Sequence, residues 1–242
     1  MADALGDFGA ARAMLARARC VLFDFDGPIC RLFPHGSSLD VADELRELVV
    51  DFGQGDLLTE RARTDKDPHV VLRTMHRAGR DRDLKDLVER LEERVTAGEL
   101  AATRRAWPTP GARAFIRHLA GRRLRLAVVT NNAADAAVQY LRARRLDGYF
   151  ESFHGRTDDP DLMKPDPDVL CRALRSLILP EHDAVMIGDT PTDVEAAARA
   201  GVRFIGYGRN AEKRARLREA GAKTVLGSYV PLLHRGGRER HG

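Results

Sequence analysis

The stretch CVLFDFDGPIC, residues 20–30, decides how this chain is read. A short apolar run is followed by two aspartates two positions apart, Asp24 and Asp26, and then by Gly27-Pro28. Residues 21–23 read as a strand buried on both faces. Gly-Pro reads as the turn that ends it. Two carboxylates at the end of a hydrophobic strand cost solvation energy, so something must use them.

Five more apolar runs follow. They are Leu124–Asn131 (LRLAVVTN), a weaker one around Phe153–Gly155, Ala184–Thr190 (AVMIGDT), Val202–Gly208 (VRFIGYG) and the small Thr224–Leu226. Helical spacing lies between them. Phe115, Ile116 and Leu119 share a face, as do Ala134, Ala137, Val138 and Leu141. Val169, Leu170, Ala173, Leu174 and Leu177 form another, and Val194, Ala197 and Ala198 a fourth that Gly201 stops. Alternating strands and helices predict an α/β fold with a doubly wound parallel sheet.

One segment breaks the alternation. Between Phe33 and Trp107 no strand stands out, while Val41, Leu45, Leu48, Val49 and Phe52 repeat at helical spacing. So do Leu84, Leu87, Val88, Leu91 and Val95, and Val70, Val71 and Met75 suggest a shorter helix started near Pro68. Helices inserted after the first strand read as a separate small domain. The expected division is a core of residues 1–32 and 107–233, a helical cap of residues 33–106, and a disordered tail of residues 234–242. WPTPG, Trp107–Gly111, is the expected rigid return linker, with Trp107 packing there rather than stacking on a substrate.

Composition narrows the function. The chain has 242 residues, 43% hydrophobic, enough for one large domain or a core with a modest insertion. The net charge is +4, yet only five of 40 basic residues are lysines, and the arginines scatter among 36 acids. A specific nucleic-acid surface is therefore not expected. Three cysteines far apart, Cys20, Cys30 and Cys171, form neither a disulfide framework nor a zinc motif and suit a reducing cytoplasm. Asp3, Asp7, Arg12 and Arg17 stand where a leader peptide needs an apolar run. No apolar stretch approaches the roughly 20 residues that span a bilayer.

In open α/β sheets, ligands bind beyond the carboxyl ends of the strands. There the sequence places Asp24 and Asp26, then Thr130 and Asn131, then Asp189 with Asp193 four residues on. Lys164 precedes the helix that follows the third strand. With DFDGP (24–28), VVTN (128–131), KP (164–165) and GDTPTD (188–193) in this order, the chain resembles the haloacid dehalogenase-like hydrolases. Within them it is similar to the phosphatase branch with an α-helical cap of the C1 type, phosphoglycolate phosphatase-like. The resemblance covers about residues 19–228.

That resemblance implies residue roles. Asp24 is the expected nucleophile, forming an aspartyl-phosphate, and also an expected metal ligand. Asp26 is the expected general acid and then base, its backbone carbonyl also a metal ligand. The amides of Phe25 and Asp26, the Thr130 hydroxyl and the Asn131 amide would bind phosphate. Lys164 would balance the charge around nucleophile and phosphate. Asp189, with Asp193 directly or through water, would complete a metal site. Oxygen ligands without His or Cys favour a hard ion, Mg²⁺. The expected substrate is a small phosphate monoester, its identity and the oligomeric state not legible. Pro28 departs from the family's usual Thr or Val and lacks an N–H. Arg31 is read as either a substrate contact or a solvated side chain, and His69, His76, His118 and His154 as surface or core residues. Phosphomutase and a weakened phosphate-binding or regulatory protein remain alternatives. A dehalogenase would not need Asp189 and Asp193, and a response-regulator receiver lacks the helical insertion.

Overall fold

The structure, a computed structural model, describes residues 2–36 and 38–233; the tail expected to be disordered, 234–242, lies outside them. Helix α1 (Ala2–Ala16) precedes strand β1 (Cys20–Phe23), a two-residue strand β2 (Cys30–Arg31) and helices α2 (Ser38–Asp51), α3 (Glu60–Thr64), α4 (Pro68–Ala78) and α5 (Lys85–Ala102). A second short strand β3 (Trp107–Pro108) returns the chain to α6 (Ala112–Gly121), β4 (Arg125–Val129), α7 (Ala134–Ala143) and β5 (Ser152–His154). The remainder runs α8 (Asp168–Leu177), β6 (Ala184–Gly188), α9 (Pro191–Arg199), β7 (Arg203–Tyr207), α10 (Ala211–Glu219), β8 (Val225–Leu226) and α11 (Val230–Leu233).

Six strands form one parallel sheet in the order β5-β4-β1-β6-β7-β8, so β1 lies near the centre between β4 and β6. Its four residues are all fully buried because each face meets helices. Val21 and Phe23 join Val128 and Ile187 in a layer with Ala11 and Leu15 of α1, Phe115 of α6 and Tyr140 of α7. Cys20 and Leu22 join Ala127 and Met186 against Leu170 and Leu174 of α8 and Ala197 of α9. Continuous apolar runs are what a strand covered on both faces requires. All six strands expected from sequence are present.

Between β2 and β3, the described residues form helices and turns without a strand, as expected. Leu45, Val49, Leu72, Met75, Leu91 and Val95 gather into an apolar cluster of their own. Helix α4 starts at Pro68, with the Asp67 side chain accepting from His69 N. The return linker is not simply rigid coil. Cys30 and Arg31 pair antiparallel with Pro108 and Trp107, which fastens the two ends of the insertion together. Trp107 is 43% exposed there, with the Arg31 guanidinium 5.1 Å from its ring centroid.

Helices α1, α3, α10 and α11 were not anticipated. The first is alanine-rich without an apolar period, and docks through Ala11, Leu15 and buried Asp7, which accepts from Val225 N and pairs with Arg218. The third has one buried residue, Leu217, in a run of charge.

Candidate active site

Strand register builds the site. Phe23 lies beside Val128 and Ile187, so the next residue of each strand pair continues past the sheet edge at one level. Asp24 N still donates to Ile187 O at 2.9 Å, which fixes the nucleophile candidate at the end of the ladder. Thr130 and Asp189 leave the neighbouring strands just beyond it, and both are buried. Thr130 Oγ1 donates to Asn132 Oδ1 and accepts from Asn132 N, both at 3.1 Å.

Lys164 enters from the loop before α8. Its ammonium lies 2.9 Å from Asp24 Oδ1, 2.6 Å from Asp193 Oδ1 and 3.2 Å from Val129 O. Burial opposes its charge, but Asp193 and Asp24 outweigh that and hold its pKa above the ordinary value. The loop itself is positioned by Asn131, whose side chain accepts from Lys164 N at 2.8 Å and donates to Lys164 O at 3.2 Å. Sequence reading gave Asn131 an amide role; its side chain is what clamps the lysine.

Asp193 is fully buried and its oxygens are occupied. Oδ1 takes Lys164; Oδ2 accepts from Asp189 N and Thr190 N, both at 3.0 Å, and from the Thr190 hydroxyl at 2.7 Å. With Thr190 Oγ1 accepting from Asp193 N, this is a capping box at the start of α9. Gly188 makes room for it, since a Cβ there would stand 2.6 Å from Asp193 Cγ.

Asp189 differs. Its Oδ2 accepts from Lys213 of α10, a residue the sequence reading did not single out, while its Oδ1 is buried with no hydrogen-bond partner among the described residues. One oxygen each of Asp24, Asp189 and Asp193 lie within 4.8 Å of one another. Burial pushes Asp189 up to about 7, with Lys213 opposing and Asp193 reinforcing. Burial likewise raises Asp24, offset by Lys164 and reinforced by Asp193 and Asp189. A buried carboxylate cluster with an orphaned oxygen and no His or Cys fits a hard divalent cation.

The Asp26 turn is held from three sides. Asp26 Oδ1 accepts from Leu32 N at 2.9 Å, Thr109 Oγ1 donates to Gly27 O at 2.6 Å, and Tyr229 OH donates to Pro28 O at 3.1 Å. Burial raises Asp26 to about 6, with the Leu32 bond working against it. Within the turn, Ile29 N and Cys30 N donate to Phe25 O and Gly27 N to Cys30 O. None of these bonds uses the amides of Phe25 or Asp26, and none needs an N–H at Pro28.

Glu99 of α5 is a second residue the sequence reading missed. It is fully buried and accepts from His69 Nε2 and Asn132 Nδ2 at 2.9 Å, Ala133 N at 2.7 Å and Arg156 Nη1 at 3.0 Å. Arg156 also reaches Glu92 at 2.8 Å and Asn131 O at 3.0 Å. The insertion is thereby tied to the loop carrying Thr130 and Asn131. His69 is accordingly neither a plain surface nor a plain core residue. The signal was available: Glu99 continues the Leu91, Val95 spacing, a charge on an apolar stripe.

A cavity of about 390 Å³ opens between the sheet edge and the insertion. Asp24, Asp26, Thr130, Asn131, Lys164 and Asp193 line one side; Ser38, Asp65, Lys66, Pro68 and His69 line the other. Asp26 and Asp189 also line an adjoining cleft of about 180 Å³, with Arg31, Arg209 and Lys213. A larger cleft of about 570 Å³ elsewhere shares no residue with either. No helix of the described residues is long and apolar enough to cross a membrane.

The chain is similar to several known proteins. An 82-residue stretch is 38% identical to a protein named as a pyrophosphatase from Caldanaerobacter subterraneus, covering 34% of this chain and only 37% of that one. Phosphoglycolate phosphatase from Nitrosospira multiformis is 29% identical over 200 residues, 79% of this chain and 85% of its own length. The crystal structure of a predicted phosphatase from Clostridium acetobutylicum superposes with a TM-score of 0.64 at 23% identity, over 89% of this chain and 96% of that one. The haloacid dehalogenase-like hydrolase family matches residues 18–201. With that match spanning most of its length, the chain belongs to the haloacid dehalogenase-like hydrolases.

Proposed function

We propose that this hydrolase is a Mg²⁺-dependent phosphatase that cleaves a small phosphate monoester through an aspartyl-phosphate on Asp24. The observation that carries the reading is the placement of Asp24. Lys164 holds one of its oxygens, and Asp189, which keeps one orphaned oxygen, belongs to the same carboxylate cluster. Phosphoryl transfer asks little of a protein beyond positioning and charge, and this edge supplies both.

Asp24 would attack phosphorus as the bond to the leaving oxygen breaks. Asp26, raised to about 6 by burial, would carry the proton that the leaving oxygen takes. Asp26 would then accept a proton from the water that cleaves the aspartyl-phosphate, returning both carboxyls to their first state. Thr130 and the amides of Phe25, Asp26 and Asn131 would hold phosphate oxygens, and Lys164 would offset their charge. Asp24, the Asp26 carbonyl and Asp189 would hold Mg²⁺, with Asp193 directly or through water, while Asp193 also orients Lys164 and the Asp189 loop. When bound, the ion would lower the repulsion between a carboxylate nucleophile and a phosphate dianion.

Residues 33–106 would form a cap over a core of residues 1–32 and 107–233. Their separate apolar cluster and their wall of the 390 Å³ cavity support that division. A cavity of this size suits a small metabolite. The names of the relatives favour phosphoglycolate or a similar small phosphate compound. Cys20, Cys30 and Cys171 are free thiols, which favours the cytoplasm.

Phosphate release from a generic aryl phosphate tests this. Release is expected with Mg²⁺ and not with a chelator, and Asp24→Asn is expected to abolish it while circular dichroism stays unchanged. Turnover independent of divalent ions, or retained in Asp24→Asn, would overturn the reading.

A further inference from the structure

Lys213 is unusual for its position. Asn210 caps α10 and its side chain accepts from Lys213 N at 2.8 Å, so Lys213 stands in the first turn of that helix. A helix start carries partial positive charge and disfavours a cation. A lysine there needs a counter-charge, and its ammonium finds Asp189 Oδ2. The Lys213 side chain is 34% exposed while that of Asp189 is 3% exposed, so the lysine has solvent to move into and the carboxylate does not. The 180 Å³ cleft beside the pair, shared with Arg31 and Arg209, provides the space.

The charges around the site explain why this matters. Asp24 and Asp193 share Lys164. Asp26 is held by a backbone amide. Asp189 is held by Lys213, on the oxygen next to its orphaned one. We propose that Lys213 is a tethered cation that holds Asp189 Oδ2 and swings into the adjoining cleft when a divalent ion binds the partnerless Oδ1, because the ion's charge repels the ammonium. The inference rests on the reading of Asp189 as a metal ligand.

Two consequences follow from charge. A monovalent ion offers Asp189 no more than the ammonium it would replace, whereas a divalent ion offers twice as much, so the tether selects for divalent ions. The tether also weakens their binding, because each ion bound costs one ion pair.

Calorimetric titration of Mg²⁺ into the metal-stripped full chain, without substrate, tests this. Lys213→Met is expected to bind Mg²⁺ about tenfold more tightly than the natural chain. Lys213→Arg is expected to stay near the natural affinity. Unchanged or weaker binding in Lys213→Met, with the natural chain binding normally, overturns the tether while leaving the phosphatase reading intact. No binding by either protein overturns both. A measurement on the natural chain needs no variant: acylation of Lys213 by an amine-reactive ester, mapped by mass spectrometry, is expected to quicken when Mg²⁺ is added. Labelling that does not change while Mg²⁺ binds overturns the tether.

Discussion

Lys164 Nζ lies 2.9 Å from Asp24 Oδ1, and its remaining contacts, Asp193 Oδ1 and Val129 O, use the other donors. The ammonium is thus fixed in place before any ligand arrives. An ion pair at 4 Å is worth about 4 kcal/mol at an effective dielectric near 20. Lys164→Met should therefore lower kcat by roughly three decades, measured with an aryl phosphate at saturation. A loss under tenfold would mean that Lys164 is structural.

Glu99 couples the insertion to the loop bearing Thr130. Removing its charge leaves buried Arg156 with the Glu92 carboxylate alone and His69 with the Asp67 carboxylate alone. Breaking such a pair costs about 3–5 kcal/mol, and in a chain of this size each kcal/mol moves Tm by about 2–4 °C. Glu99→Gln should lower Tm on the order of 10 °C and reduce kcat as well, read by thermal circular dichroism and aryl phosphate turnover. Unchanged Tm would show that the network contributes nothing.

The same network sets a pH window. Burial favours neutral His69, but Asp67 and Glu99 outweigh it and raise its pKa from 6.5 to about 9. Its contribution is full below pH 6.5 and lost as pH rises through about 9. Burial also works against Glu99 and Asp67 as anions, yet His69 lowers both to about 2, with Arg156 helping Glu99. Their contributions are present above their ordinary values of 4.5 and 3.8 and are lost as pH falls through about 2. Thermal melts should show Tm declining from pH 6.5 to 9, and His69→Asn should flatten that limb. Parallel slopes in both proteins would contradict this.

Gly27 adopts φ +115°, and a Cβ there would stand 2.1 Å from Asp189 Cγ. Gly27→Ala meets both backbone strain and a clash, about 1–3 kcal/mol from the backbone alone. A lower Tm and weaker Mg²⁺ binding are expected, by thermal melts and calorimetry. Natural affinity in Gly27→Ala would show that the turn does not shape the metal site.

The sheet was legible because β1, β4 and β6 are short apolar runs ending in polar residues, and register brings Asp24 to the sheet edge with Thr130 and Asp189 one residue beyond it on the neighbouring strands. Lys164 was legible from its place before α8. Lys213 was not, because α10 has almost no apolar face and its approach to Asp189 exists only in three dimensions. Asn132 and Arg156 are ordinary loop residues in sequence; Glu99, buried on an apolar stripe, was the one clue to their network. Helix α1 escaped because alanines and two glycines leave no period to read.

Everything turns on Asp24 becoming phosphorylated. The direct measurement is a rapid acid quench of the enzyme with substrate and Mg²⁺, followed by peptide mass mapping. One phosphoryl group is expected on the peptide carrying Asp24, absent in Asp24→Asn and with a chelator. A phosphoryl group on another residue, or turnover with no phosphoenzyme at any quench time while Asp24→Asn stays active, would contradict the account.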